Sequence, residues 1–208
     1  LSINCSFMYL ENTIVISYLM SIKNLSEGIK VGQFFDFNTL KSVATNSSNL
    51  DSLMQISMSS FNKMDAYLRS QNRSNVSALI VTGTWIEGLY ITANVIEQTA
   101  KKDAFINKIN KDLVDRMGEQ KDIVDILQIF LQNYQSDPNF AKLSEQIQGL
   151  KDAFKGVTIT TEVGEPTKVE KNGVLMIEQN EISHVNITPE QLKAIIEQVK
   201  VIRAIIVS

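Results

Sequence analysis

The chain has 208 residues, 44% of them hydrophobic and 21% charged, and a net charge of −3. A chain of this size buries roughly 70% of its unfolded surface and needs no disulfide or metal to be stable. Six Lys/Arg face seven Asp/Glu in residues 1–100, and fourteen face sixteen in residues 101–208. No basic face emerges, so nucleic acid is not an expected partner, and no polybasic segment addresses anionic lipid.

In chain order, residues 3–28 read as a helix, with Phe7, Leu10, Ile14, Tyr18 and Leu25 recurring at three- and four-residue steps. Gly28, Gly32 and the pair Phe34-Phe35 mark a loop, with the two rings expected to fold back onto the helices. Asp36 to Ser47 reads as a short helix ended by Asn46-Ser47-Ser48-Asn49. Residues 50–71 resume the helical period through Leu53, Ile56, Phe61, Met64 and Leu68. After a polar turn, residues 75–99 form the next helix. Residues 103–135 carry a heptad-like seam through Ile106, Ile109, Leu113, Met117, Val124, Leu127, Leu131 and Tyr134, with a bend expected at Gly118. Beyond Leu127 the apolar face widens to Ile126 and Phe130, so deeper packing is expected there. Asp137-Pro138 opens a helix to about Phe154, because proline suits the first helical position.

The pattern then changes. Val157 to Val163 is β-branched with a two-residue period, and Asn172-Gly173 signals a hairpin between Lys168–Lys171 and Val174–Ile177. Gly164-Glu165-Pro166 interrupts the first arm, and Ile182 to Ile187 extends the second. Thr188, Pro189 and Gln191 form a capping box at the start of the last helix, whose apolar face runs through Leu192, Ile195, Ile196, Val199, Ile202 and Ile206. The expected fold is mainly α: a multi-helix bundle with a small antiparallel β-hairpin before the C-terminal helix. It reads as one domain over 1–208, with a bundle over 1–155, a hairpin insertion over 156–187 and a returning helix over 188–208.

The richest stretch is Val76 to Ile96, 21 residues with one formal charge, Glu87, and the only tryptophan, Trp85. A helix apolar on all sides is normally buried on all sides, which makes this the expected central helix. It has the length of a membrane span; Thr82, Thr84, Thr92, Asn94 and Glu87 favour a buried helix instead. Ala78, Gly83, Gly88 and Ala93 would let neighbouring helices approach closely. A buried carboxylate costs several kcal/mol unless it is paired or protonated. Glu87 is therefore either bonded to a Lys, Arg or Tyr on a neighbouring helix, or is the polar anchor of a ligand pocket walled by Trp85 and Tyr90.

Other features read as structure. Asp112, Asp115, Glu119 and Asp122 interleave with Lys108, Lys111, Arg116 and Lys121, the pattern of exposed ion pairs. The single histidine, His184, falls in a strand near Glu181 without the nucleophile or further ligands that a triad or zinc site needs, and reads as an exposed or edge-strand histidine. Cys5, the only cysteine, reads as a small buried hydrophobe and allows no internal disulfide. No phosphate-binding glycine loop occurs. No catalytic residue, metal site or cofactor is expected, and the chain reads as a non-enzyme.

Three segments carry a resemblance: Thr84-Trp85-Ile86-Glu87-Gly88-Leu89-Tyr90, then Met117-Gly118-Glu119-Gln120-Lys121, then Ile187-Thr188-Pro189-Glu190-Gln191-Leu192-Lys193 leading to Ile202-Arg203. In this order the chain resembles a group of helical lipoproteins of Bacteroidetes without known activity. Asp51-Ser52-Leu53 also resembles the short O-glycosylation sequon of that phylum. The resemblance implies a periplasmic or outer-membrane-anchored location in the cell envelope, held by a lipid anchor upstream of Leu1. Leu1 to Cys5 is no substitute, since Asn4 sits where a lipidation box needs a small residue. The expected role is an extracytoplasmic binding or scaffolding protein whose partner is a protein or envelope component. The alternative is a small-molecule binding bundle with its site near Glu87.

Overall fold

The computed structural model describes residues 16–44, 50–99, 104–164, 166–171, 174–178 and 181–207. The expectations for Phe7, Leu10, Ile14, Cys5 and the Asn46–Asn49 cluster lie outside the described residues. The protein is mainly helical, with antiparallel strands before the C-terminal helix, and falls into two compact units, Leu1–Ser77 and Ala78–Ser208.

In the first unit, helix α1 covers residues 16–28, a 3-10 turn covers Gly32–Phe34, and α2 (Phe37–Ala44) and α3 (Leu50–Ser70) follow. Helices α1 and α3 end the same way. Lys30 (φ 61°) and Asn72 (φ 55°) adopt the left-handed conformation. The next residue then donates back to a carbonyl of the last turn, Val31 to Ser26 and Arg73 to Leu68, each at 2.8 Å. This is the Schellman closure, which satisfies carbonyls that helix ends leave open. The Arg73 guanidinium joins the two turns by donating to the Ile29 carbonyl at 2.9 Å. Asp36 caps α2, accepting from the Thr39 amide at 3.1 Å and from its hydroxyl at 2.6 Å, and these bonds hold its carboxyl below the usual range. Phe34 and Phe35 do fold back: their rings lie 5.1 Å from Tyr67 and 5.9 Å from Phe61 of α3. Val31, Leu40, Met64 and Leu68 form the buried centre of this unit.

Helix α4 (Ser74–Thr99) starts in the first unit and runs into the second, which continues with α5 (Ala104–Gly118), α6 (Lys121–Gln132) and α7 (Pro138–Phe154). The single bent helix expected over 103–135 is two helices, separated by a turn at Glu119-Gln120. Packing accounts for the glycine at this break: a Cβ on Gly118 would overlap Val185 of the following ribbon. Asp137 caps α7 by accepting from the Asn139 amide at 2.8 Å, with Pro138 in the first turn, as its sequence signals.

The strands β1 (Thr158–Val163), β2 (Thr167–Lys171), β3 (Val174–Glu178) and β4 (Glu181–Asn186) make nested antiparallel pairs, β1 with β4 and β2 with β3. The outer ladder ends at Val163↔Glu181, and the inner begins at Thr167↔Glu178. The interruption expected at Gly164-Glu165-Pro166 falls between the two ladders, and Glu165 itself lies outside the described residues. The inner ladder closes at Lys171↔Val174, and Asn172-Gly173 between them lies outside the described residues. Helix α8 (Pro189–Val207) then opens on the expected capping box: Gln191 donates its amide to the Thr188 hydroxyl at 3.2 Å, and its side chain accepts from the Thr188 amide at 2.8 Å.

The core of the second unit draws Ile86, Leu89, Ala93 and Ile96 from α4, Met117 from α5, Val124 and Leu131 from α6, Ile147, Leu150 and Phe154 from α7, and Ile195, Val199 and Ile202 from α8. Two expectations need correction. Helix α4 is buried on one face only: Ala78, Thr82, Ile86, Leu89, Ala93 and Ile96 point inward, while Leu79, Val81, Ile91 and Val95 are exposed. Ile126 is not deeply packed but 61% exposed, beside Ile129 at 65%. The α4 error has a plain cause: an uninterrupted apolar segment carries no polar stripe to mark which side meets solvent. In α6 the buried face runs through Val124, Leu127, Gln128 and Leu131, so a polar Gln128 takes an inward place while Ile126 and Ile129 fall outside it.

Candidate functional site

Glu87 and Tyr90 sit three residues apart on α4 and so share one flank of the helix. Arg203, from the last turns of α8, reaches both. Its Nε donates to Glu87 Oε2 at 3.1 Å, and a terminal nitrogen lies 3.5 Å from Oε1. The same guanidinium lies over the Tyr90 ring, 4.5 Å from its centroid. One turn along, Lys200 holds Glu97 with bonds of 2.6 and 2.7 Å. Both acids of α4 are thus committed to α8. The Glu87 side chain is 45% exposed, so this acid is half-solvated rather than buried. Of the two readings of Glu87, the geometry matches the structural one: an ion pair to a neighbouring helix, capped by a cation–π contact.

Trp85 does not join them. It stands two residues before Glu87, about 160° away around the helix axis, and its indole N–H donates to the Gln120 side chain at 3.0 Å. Gln120 in turn donates to the Arg116 carbonyl at 3.1 Å. Trp85 lines a separate cleft of about 270 Å³, with Gly88, Leu89 and Thr92 of α4 and Arg116, Met117 and Gln120 at the α5–α6 turn. The floor is apolar and the rim carries one guanidinium, which pairs with Glu119 at 2.9 Å. A small molecule with an apolar body and an anionic end would suit this lining. The sequence places Trp85 in a pocket but with the wrong neighbours. Arg116, Met117 and Gln120 had only one signal available, the polar break after Gly118 that sets them at a helix end.

The other singled-out residues lie as follows. Asp112 and Asp122 are exposed, and no group of three metal-ligating side chains occurs among the described residues. His184 sits on β4, 56% exposed and 3.5 Å from Glu162 on the paired strand. Inside the second unit, Gln128 donates to the Ser144 hydroxyl at 3.2 Å, a polar contact within the α6–α7 interface.

A feature the sequence hides is the outward face of α4. Val81, Thr84, Gly88, Ile91 and Val95 follow one another at steps of three and four, and all five are exposed. This is the spacing of a helix–helix seam, and it backs onto the inward one. Helix α4 passes the length and composition test for a membrane span, with 33% of its most apolar window buried in the fold. Comparison with protein-family models, with curated proteins and with solved structures finds no match to this chain.

Proposed function

We propose that this chain is a non-enzymatic binding or scaffolding protein that works through exposed apolar helix faces. One observation carries the reading: a well-packed unit leaves Val81, Ile91 and Val95 of α4 and Ile126 and Ile129 of α6 in solvent. Apolar residues grouped on one face, rather than scattered, mark interaction surfaces. The place of action is the bacterial cell envelope, on the strength of the lipoprotein resemblance, with a protein or envelope component as partner.

Native mass spectrometry of the purified chain beside its denatured mass tests the reading. Masses equal to the chain or to whole multiples of it support a protein that acts by its surface. An excess mass lost on denaturation identifies a retained ligand and overturns it. The second reading, a small-molecule binding bundle, is favoured by the cleft beside Trp85 rather than by Glu87, which Arg203 already occupies. For location, labelled palmitate is fed to cells of the source organism expressing the full reading frame. A labelled, detergent-extractable protein is expected, and an unlabelled cytosolic one would refute the envelope assignment.

A further inference from the structure

We infer that the outward seam of α4 pairs with the same seam of a second copy of this chain, antiparallel, about a twofold axis passing beside Gly88. This names the partner for the surface-binding reading above and rests on it.

The pattern of the seam is self-complementary. Gly88 stands at its centre, flanked on both sides by β-branched residues: Thr84 and Val81 toward the N-terminus, Ile91 and Val95 toward the C-terminus. Turned end for end, the series presents the same order of shapes. Val81 then meets Val95 of the other copy, Thr84 meets Ile91, and Gly88 meets Gly88. That is the geometry a twofold interface requires, one patch matched to itself. Gly88 also has open space: a Cβ built there meets nothing within 4 Å. The glycine is therefore not required by the fold of its own protomer, and its small size leaves room for a second helix to come close.

Charge permits the pairing. The two acids of α4, Glu87 and Glu97, are turned to α8 and held by Arg203 and Lys200. The seam carries no charge to desolvate and no like charges to oppose. In the antiparallel arrangement the positive N-terminal end of each helix lies beside the negative C-terminal end of the other.

Area sets the strength. From Val81 to Val95 the seam is about 21 Å long at 1.5 Å per residue. A single helix pair of that length lies at the low end of specific interfaces, so a weak, concentration-dependent dimer is expected.

Sedimentation equilibrium up to 200 µM is the test. The parent chain should pass from monomer to dimer, and Gly88→Leu should stay monomeric with unchanged circular dichroism and a thermal midpoint equal to the parent's or higher, because the site has room for the side chain and leucine suits a helix better than glycine. In a Cys5→Ser background, Gly88→Cys should form a disulfide dimer on mild oxidation. Val81→Cys alone should not, while a mixture of Val81→Cys and Val95→Cys chains should. A parent chain monomeric at 200 µM, or a dimer that Gly88→Leu leaves intact, overturns the pairing. Cross-linking by Val81→Cys alone would mean parallel helices and also overturns it. Binding of the parent to phosphatidylethanolamine–phosphatidylglycerol vesicles, lost in Ile91→Glu, would give the seam to lipid instead of a second copy. Only the self-pairing falls in these cases, since the surface reading fails on a retained ligand by native mass spectrometry.

Discussion

Replacing Gly118 with alanine reverses the usual sign of a helix substitution. Within a helix, glycine to alanine gains up to about 1 kcal/mol, because alanine has less conformational freedom to lose on folding. Gly118 is the last residue of α5 and is buried against the ribbon. The new Cβ would overlap Cγ1 of Val185 and would also touch Cγ1 of Val157 at 3.6 Å. Valine is stiff at χ1, and Val185 is held by its register opposite Ile159, so relieving the overlap means driving Val185 from its rotamer or shifting the strand. Forcing a methyl into a packed site costs about 1–3 kcal/mol. Gly118→Ala should therefore be destabilised by about 1–2 kcal/mol in urea melts followed by circular dichroism. Val185→Ala removes the obstructing methyls, so the double variant should show a coupling of more than about 1 kcal/mol in a double-mutant cycle. A Gly118→Ala protein as stable as the parent, or more so, refutes the argument that space, and not chain freedom, requires this glycine.

Leu150 is fully buried on α7, and Leu150→Ala should cost about 2–5 kcal/mol by the same melts. The Glu87–Arg203 pair is half-solvated, so a cycle of Glu87→Gln and Arg203→Met should give a coupling of about 0.2–1 kcal/mol; a value above 3 would mean the acid is effectively buried. Asp65 feels burial, which opposes its ionisation, but bonds from the Ser77 hydroxyl and the Arg69 guanidinium outweigh this and lower its pKa. Its contribution is therefore present above about pH 4 and lost as pH falls through the lower folded value. Asp65→Asn should flatten that part of the stability-against-pH curve, and an unchanged acid limb would remove Asp65 from the account.

Local signals in the sequence located most element ends. The capping box at Thr188, Asp137 before Pro138, and the Gly164–Pro166 interruption all act within a few residues of themselves, and each lies where expected. Two kinds of information were not local. The inward stripe of α4 and its outward seam are equally apolar, so periodicity could not say which is covered. The partner of Glu87 lies 116 residues away, beyond any spacing rule. The acid itself was conspicuous for its apolar neighbours, while the cleft beside Trp85 is built from residues that look ordinary in a row.

The pairing of α4 with α8 also bears on synthesis. Helices α6, α7 and α8 and the ribbon between them assemble from near neighbours in the chain, which favours fast folding. Helix α4 is the exception. Arg203 leaves the ribosome 116 residues after Glu87, and Lys200 103 residues after Glu97, with the Ile195, Val199 and Ile202 side chains that share the core close beside them. Until then the part of α4 that α8 covers stays open beside the outward seam, the kind of transient surface that draws chaperones or aggregates. Truncation within α8 should therefore be punished far more in yield from cells than its few lost contacts would suggest.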